Sequence, residues 1–183
     1  MSRPKLLYIP GYNGKGSRDS SKIKLLSRYA DVDILHIGSY NYIDYIKALD
    51  STKIENYDCL CGTSLGGYWA KLYGDKNEIA QILLNPVLDP FLQLTGIATD
   101  SERDLYIFAT PITQSVQGIP SLVVVSEFDP VITSAGAINL FQNTSSFNLL
   151  SGSNDHSLND SVNSYSEAVK TFLTDSIYRI AQT

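Results

Sequence analysis

The stretch Tyr57-Asp58-Cys59-Leu60-Cys61-Gly62-Thr63-Ser64-Leu65-Gly66-Gly67-Tyr68-Trp69 reads as a short buried strand, a sharp turn and the start of a helix. Within it, Gly62-Thr63-Ser64-Leu65-Gly66 fits the nucleophile-elbow pattern, in which a serine stands on a tight strand-to-helix turn with its hydroxyl above the sheet edge. Glycines two residues to either side of the serine are needed because a Cβ there would strike the neighbouring strand or helix. Gly67 adds a third small residue where the helix meets the sheet. The amides that follow Ser64 point toward the site, where a developing oxyanion is held.

Outward from this turn, short apolar runs alternate with longer amphipathic segments, the pattern of a parallel sheet flanked by helices. Strands are expected at Lys5–Pro10, Val32–Ile37, Tyr57–Cys61, Gln81–Asn85, Ser121–Ser126 and Ser146–Leu150. Leu122-Val123-Val124-Val125 is continuously apolar, as in a strand buried on both faces. Helices are expected at Ser20–Tyr29, Tyr42–Asp50, Gly67–Asp75, Ser134–Phe141 and Ser161–Ala181, the last capped by Asn159 or Asp160. Two placements fit the long segment Val87–Gly118: over the active site, or an ordinary connection outside the sheet.

The 183 residues suffice for a single domain, 1–183, with its own core. A hydrophobic fraction of 43% and a charged fraction of 18% are those of a soluble globular chain. The net charge of −5 and the lack of a basic run argue against nucleic acid or an anionic membrane as partner. No secretory leader or membrane span is expected, because the apolar run after Lys5 is short and ends at Pro10-Gly11. Cys59 and Cys61 point to one face of one strand, a poor geometry for a disulfide, and read as reduced core residues. These features imply a cytoplasmic setting. Neither the cysteines nor the two histidines have ligand spacing, so no metal is expected.

A serine attacks only when a base takes its proton. His36 lies in an expected strand and reads as a hydrogen-bonded residue in or near the core. His156 lies in the polar loop Ser151-Gly152-Ser153-Asn154-Asp155-His156-Ser157 after the last strand, where a base would reach over the sheet edge. For the carboxylate that orients it, Asp129 ranks first, because it follows the strand Ser121–Ser126 at its C-terminal end. Asp155 ranks second and Glu127 third. The order Ser64, Asp129, His156 is that of an α/β-hydrolase. In the loop Pro10-Gly11-Tyr12-Asn13-Gly14, the Tyr12 amide is the second oxyanion donor beside that of Leu65. Gly14-Lys15-Gly16-Ser17 lacks both P-loop and GxGxxG spacing, which excludes a nucleotide cradle. Tyr12, Asn13 and Tyr68 are candidate substrate contacts, and Tyr40 is a further aromatic wall.

These residues together resemble the YqiA-type esterase family, also catalogued as UPF0227. The resemblance spans nearly the whole chain and rests on Leu7-Tyr8-Ile9-Pro10-Gly11-Tyr12-Asn13, Gly62-Thr63-Ser64-Leu65-Gly66-Gly67-Tyr68 and Asn85-Pro86 with Pro90 beyond. The Asp129 loop and Asn154-Asp155-His156 complete it. It implies a compact α/β-hydrolase of about six mostly parallel strands, with helices on both faces and minimal or no cap. It further implies a serine esterase acting on short acyl esters or thioesters through Ser64, Asp129 and His156, with no cofactor. Members of that family tend to carry histidine where this chain has Pro10, and Pro130 after the acid is a second departure. Three other functions fit the same residues: a catalytically silent binding or regulatory shell, an acyltransferase using the same nucleophile, and a related reaction on the same scaffold such as C–C bond hydrolysis. Acyl length and oligomeric state leave no mark in the sequence.

Overall fold

A computed structural model describes residues 3–14, 16–114, 118–144 and 146–177. Its centre is a six-stranded, all-parallel sheet in the order β2-β1-β3-β4-β5-β6. The strands are β1 (Lys5–Ile9), β2 (Asp31–Ile34), β3 (Cys59–Thr63), β4 (Ala80–Leu84), β5 (Ser121–Ser126) and β6 (Phe147–Leu150). The helices between them are α1 (Ser21–Leu26), α2 (Tyr42–Ser51), α3 (Leu65–Asn77), α4 (Pro90–Gln93), α5 (Asp100–Arg103), α6 (Ala135–Phe141) and α7 (Val162–Thr171). This is an α/β-hydrolase architecture.

Parallel strands need helical crossovers, and crossovers bury both sheet faces. Alternate residues accordingly feed two cores. Leu6, Tyr8, Cys59, Cys61, Ile82, Leu122 and Val124 face α1 and α7. Leu7, Ile9, Leu60, Leu83, Val123 and Val125 face the other side, with residues of α2, α3 and α6. Each fully buried aliphatic side chain contributes about 1.5–3 kcal/mol, so the sheet is held from both sides.

The chain runs from β1 to the edge strand β2, then returns across β1 to β3 and continues to β6. The loops after β1 and β3 therefore leave the sheet in opposite directions. That divergence opens a crevice beyond the strands' C-terminal ends.

Several boundaries differ from those expected. β2 stops at Ile34, opposite Tyr8, because β1 turns away at Pro10 and leaves nothing further to pair with. His36 thus lies past the ladder and is exposed, not a residue in or near the core. β3 runs on to Thr63 and α3 starts at Leu65, so one residue, Ser64, separates strand from helix. Neither Asn159 nor Asp160 caps α7, which begins at Val162. Asp155 instead accepts from the amides of Asp160 at 2.8 Å and Ser161 at 2.9 Å, ahead of the helix. α7 passes into a π-helical turn, Phe172–Ser176, while the end of the helix expected to Ala181 lies outside the described residues.

The segment after β4 holds α4, α5 and a 3-10 turn over Asp104–Phe108. It packs on the α3 face through Tyr106 and reaches the loops beyond the sheet edge. The Tyr106 hydroxyl donates to the Tyr40 carbonyl at 3.0 Å, and the Tyr12 hydroxyl donates to Glu102 at 2.8 Å. Among the described residues, no helix is long and apolar enough to cross a membrane. Cys59 and Cys61 are both buried and unpaired on the α1/α7 face.

Candidate active site

Ser64 has φ 55° and ψ −122°, a left-handed backbone that a side chain other than glycine adopts only under constraint. The constraint is visible on every side. Its amide donates to the Leu84 carbonyl at 2.9 Å, and its carbonyl accepts from Gly67 at 2.8 Å and Val87 at 3.1 Å. A Cβ on Gly66 would collide with the Ile9 carbonyl oxygen, so only glycine lets α3 start this close to β1.

The loop after β1 lies directly against this turn. A Cβ on Gly11 would fall 2.6 Å from the Thr63 oxygen and 3.1 Å from the Ser64 Cβ. Among the described residues, the amides of Tyr12 and Leu65 donate no hydrogen bond, which leaves both free beside the serine. Asn13, at φ 55°, is exposed on the same loop. The Tyr12 and Tyr40 rings meet edge to face, with centroids 5.5 Å apart. Tyr68 is fully buried and its hydroxyl donates to the Thr110 carbonyl at 3.1 Å, so it presents no surface to a substrate.

His156 Nδ1 lies 2.6 Å from Asp129 Oδ2. The Asp129 side chain is 1% exposed and that of His156 20%, so the carboxylate is withdrawn from water while the imidazole keeps an open edge. Pro130 carries no amide hydrogen, and the next two amides complete the shell: Val131 at 2.8 Å and Ile132 at 3.0 Å both donate to Asp129 Oδ1. The buried carboxylate is thus hydrogen-bonded to three partners, one on Oδ2 and two on Oδ1.

The two other candidate acids are engaged elsewhere. Asp155 accepts from Ser157, Leu158, Asp160 and Ser161. Burial raises its carboxyl, but the Ser161 amide, the Ser157 hydroxyl and the amides of Asp160 and Leu158 together hold it below the ordinary carboxylate value. Glu127 accepts from the Gly152 amide at 2.7 Å. Both are fold-building groups of the loop.

Acid and base thus meet directly, whereas Ser64 Oγ has no hydrogen-bond partner among the described residues. The serine is tied to the histidine through the segment after β4. Leu84 and Val87 hold the Ser64 backbone, and Asn85 between them reaches the histidine loop. Asn85 Nδ2 donates to the carbonyls of Asp155 at 3.0 Å and His156 at 2.9 Å, while its Oδ1 accepts from the Ser126 amide at 2.7 Å. Asn85 is not among the residues that the sequence alone assigns to the site. The only signal was the Asn85-Pro86 step, and the positive φ of 43° at Asn85 explains why asparagine suits it.

The profile of the family described as Uncharacterised protein family (UPF0227) matches residues 5–174. The chain belongs to the UPF0227 family. Curated relatives named UPF0227 protein YcfP, from Escherichia coli, are 27% identical over 100 residues, which is 50% of this chain and 55% of theirs. The chain therefore spans about half the length of the curated relatives it matches.

Two solved structures share the fold of this UPF0227 chain. One is a putative hydrolase of the alpha/beta superfamily from Xanthomonas campestris, 18% identical, with TM-score 0.67 over 94% of this chain and 98% of that one. The other is Est1E from Butyrivibrio proteoclasticus, 16% identical, with TM-score 0.69 over 97% and 89%. Among the described residues, no group of three or more His, Cys, Asp or Glu side chains is arranged to hold a metal ion.

Proposed function

We propose that this UPF0227 chain is a serine hydrolase that cleaves short acyl esters or acyl thioesters through an acyl-enzyme on Ser64. The observation that carries the reading is the 2.6 Å contact between His156 and a buried Asp129, in a chain whose elbow serine is held at positive φ. A shell kept for binding alone needs neither a buried carboxylate on the imidazole nor a strained serine. The likeness to Est1E, and to the esterase domain of a Rhodothermus marinus protein (TM-score 0.65), supports the same reading at the level of fold.

In this mechanism His156 Nε2 takes the proton of Ser64 as Oγ bonds to the acyl carbon. The carbonyl π pair moves onto oxygen, where the amides of Tyr12 and Leu65 receive it. An oxyanion donor contributes about 3–4 kcal/mol where one has been removed and measured. Asp129 keeps the Nδ1 proton in place and stabilises the imidazolium. The tetrahedral adduct expels the alcohol or thiol, which leaves with the proton from Nε2. Water then repeats the sequence on the acyl-enzyme and restores Ser64. The cycle needs no cofactor, and a reducing cytoplasm fits two unpaired thiols in the core.

The test is intact mass after reaction with a fluorophosphonate, for the wild type beside Ser64→Ala and His156→Ala. A single adduct on the wild type alone is expected, followed by turnover of p-nitrophenyl esters or acyl-CoAs in a chain-length screen. Absence of an adduct on folded wild type would overturn the reading. With added alcohol or amine acceptors, acyl transfer products would move it from hydrolysis to transfer.

A further inference from the structure

Lys22, on α1, is 8% exposed, and no step of the proposed cycle uses it. Its Nζ donates to the Ser157 carbonyl at 2.7 Å and to Thr63 Oγ1 at 3.2 Å. Ser157 is the residue after His156, and Thr63 is the residue before Ser64. One ammonium therefore grips the base loop with one hand and the elbow with the other. With Asn85 on the two preceding carbonyls, three successive carbonyls of the histidine loop, 155 to 157, are each held by a side chain from another element. Removing Lys22 would free the last of them and cut, among the described residues, the only side-chain hydrogen bonds from α1 to the site.

We infer that Lys22 is a positioning residue: its ammonium sets the His156 loop against the Ser64 turn, and the grip weakens when it loses its proton. The inference rests on the serine-hydrolase reading above.

A buried lysine is costly to charge, and here nothing fully offsets that cost. The groups facing it are Tyr8 from β1, whose ring centroid is 5.8 Å from Nζ, Cys61 from β3 and Asp155 from the base loop, with Tyr165 of α7 acting on the same three. Burial lowers the Lys22 ammonium from 10.5 to about 8, with Cys61 and Asp155 acting the other way. Burial also pushes the Cys61 thiol up to about 12 and the phenols of Tyr8 and Tyr165 well above their ordinary value, while Asp155 stays ionised. Between about pH 8 and pH 10.5, Lys22 is thus the member of this cluster whose charge changes.

Activity and stability then move in opposite directions. As pH rises through about 8 the charge-assisted bonds to Ser157 and Thr63 are lost, and the reaction slows. For stability the sign is reversed, because the folded-state value lies below the unfolded one. The unfolded chain binds more protons between about 8 and 10.5, so the lysine's cost to the fold is full below 8 and gone above 10.5. A purely structural lysine would give the second effect without the first.

The experiment is the rate of fluorophosphonate labelling of Ser64 from about pH 6 to pH 10 for wild type, Lys22→Gln and Lys22→Met, each with a thermal midpoint at every pH. Wild type is expected to slow above about pH 8. Lys22→Met should label about ten- to hundredfold slower at neutral pH, the cost of misplacing reacting groups by up to an ångström, and should lack the alkaline fall. Lys22→Gln keeps an N–H for Ser157 but no charge, so it should fall between the two at neutral pH and also lack the alkaline fall. The wild-type midpoint should gain on both variants as pH rises from about 8.

A wild-type rate that does not fall above pH 8 overturns the inference without recourse to any variant. So does an alkaline fall that survives in either variant, or a neutral-pH loss matched by a lower midpoint. Wild type that never labels overturns the hydrolase reading, a result distinct from these.

Discussion

On one side of the sheet Trp69 stacks on Tyr45 at a centroid distance of 5.3 Å and meets Tyr42, Tyr68, Tyr73 and Tyr106 tilted or edge-on. On the other side, near the same strand ends, Lys22, Tyr8, Thr63 and the carbonyl of Ser157 form a hydrogen-bonded cluster. The aromatic side is held by area, which is large and tolerant of small displacements. The polar side is held by direction, where a bond is either aligned or lost. Both anchor the turn that carries Ser64, one through α3 and one through Thr63. Fold stability should therefore sit on the first side and catalytic alignment on the second.

The sharpest blow to alignment is Asp129→Asn. It removes the charge facing His156 and lets the imidazole adopt the wrong tautomer. Labelling of Ser64 should fall by roughly 10⁴-fold, as when the acid of such a triad is made an amide, with cooperative melting retained. A loss below about tenfold would shift the acid role to another residue. On the aromatic side, Trp69→Ala should cost about 3–5 kcal/mol in urea unfolding, the range for truncating a buried aromatic. Its labelling rate, measured where the variant is still folded, should stay within about threefold of wild type. A larger loss would mean that the two sides are not separable.

Asn85 tests the boundary, because it follows the central strand β4 and belongs to neither cluster. Asn85→Ala leaves the Asp155 and His156 carbonyls and the Ser126 amide without it. A cost of about 1–3 kcal/mol is expected, with labelling about tenfold slower. An effect on stability alone would make it a staple of the sheet.

What the sequence disclosed follows the same division. The four inner strands were legible because each is a short, mostly apolar run buried on both faces, as Leu122-Val123-Val124-Val125 shows, while the edge strands β2 and β6 are only partly buried. Ser64 was legible because its turn is a local pattern of fixed glycines. Asp129 was separable from Asp155 by its place after β5 and because neighbours on a loop, such as Asp155 and His156, often point apart; Asp155 is in fact consumed by four donors of its own loop.

The short helices α4 and α5 left no periodic signal, being four residues each. They are set by their caps, Asp89 and the Thr99–Glu102 capping box. His36 was misplaced because an apolar neighbourhood resembles a strand even where its partner strand has already turned away. Lys22 was silent because its two partners lie 41 and 135 residues further along the chain. No local window holds such a contact.

The two thiols on β3 give the molecule an internal clock. Cys59 and Cys61 have no exposed surface, and burial keeps both protonated, Cys61 up to about 12. A thiol reagent at neutral pH finds neither a path nor a thiolate while the central strands are closed. Each modification event therefore records one opening of the sheet centre. Counted over time, such events measure how often the chain exposes the strand that carries its nucleophile.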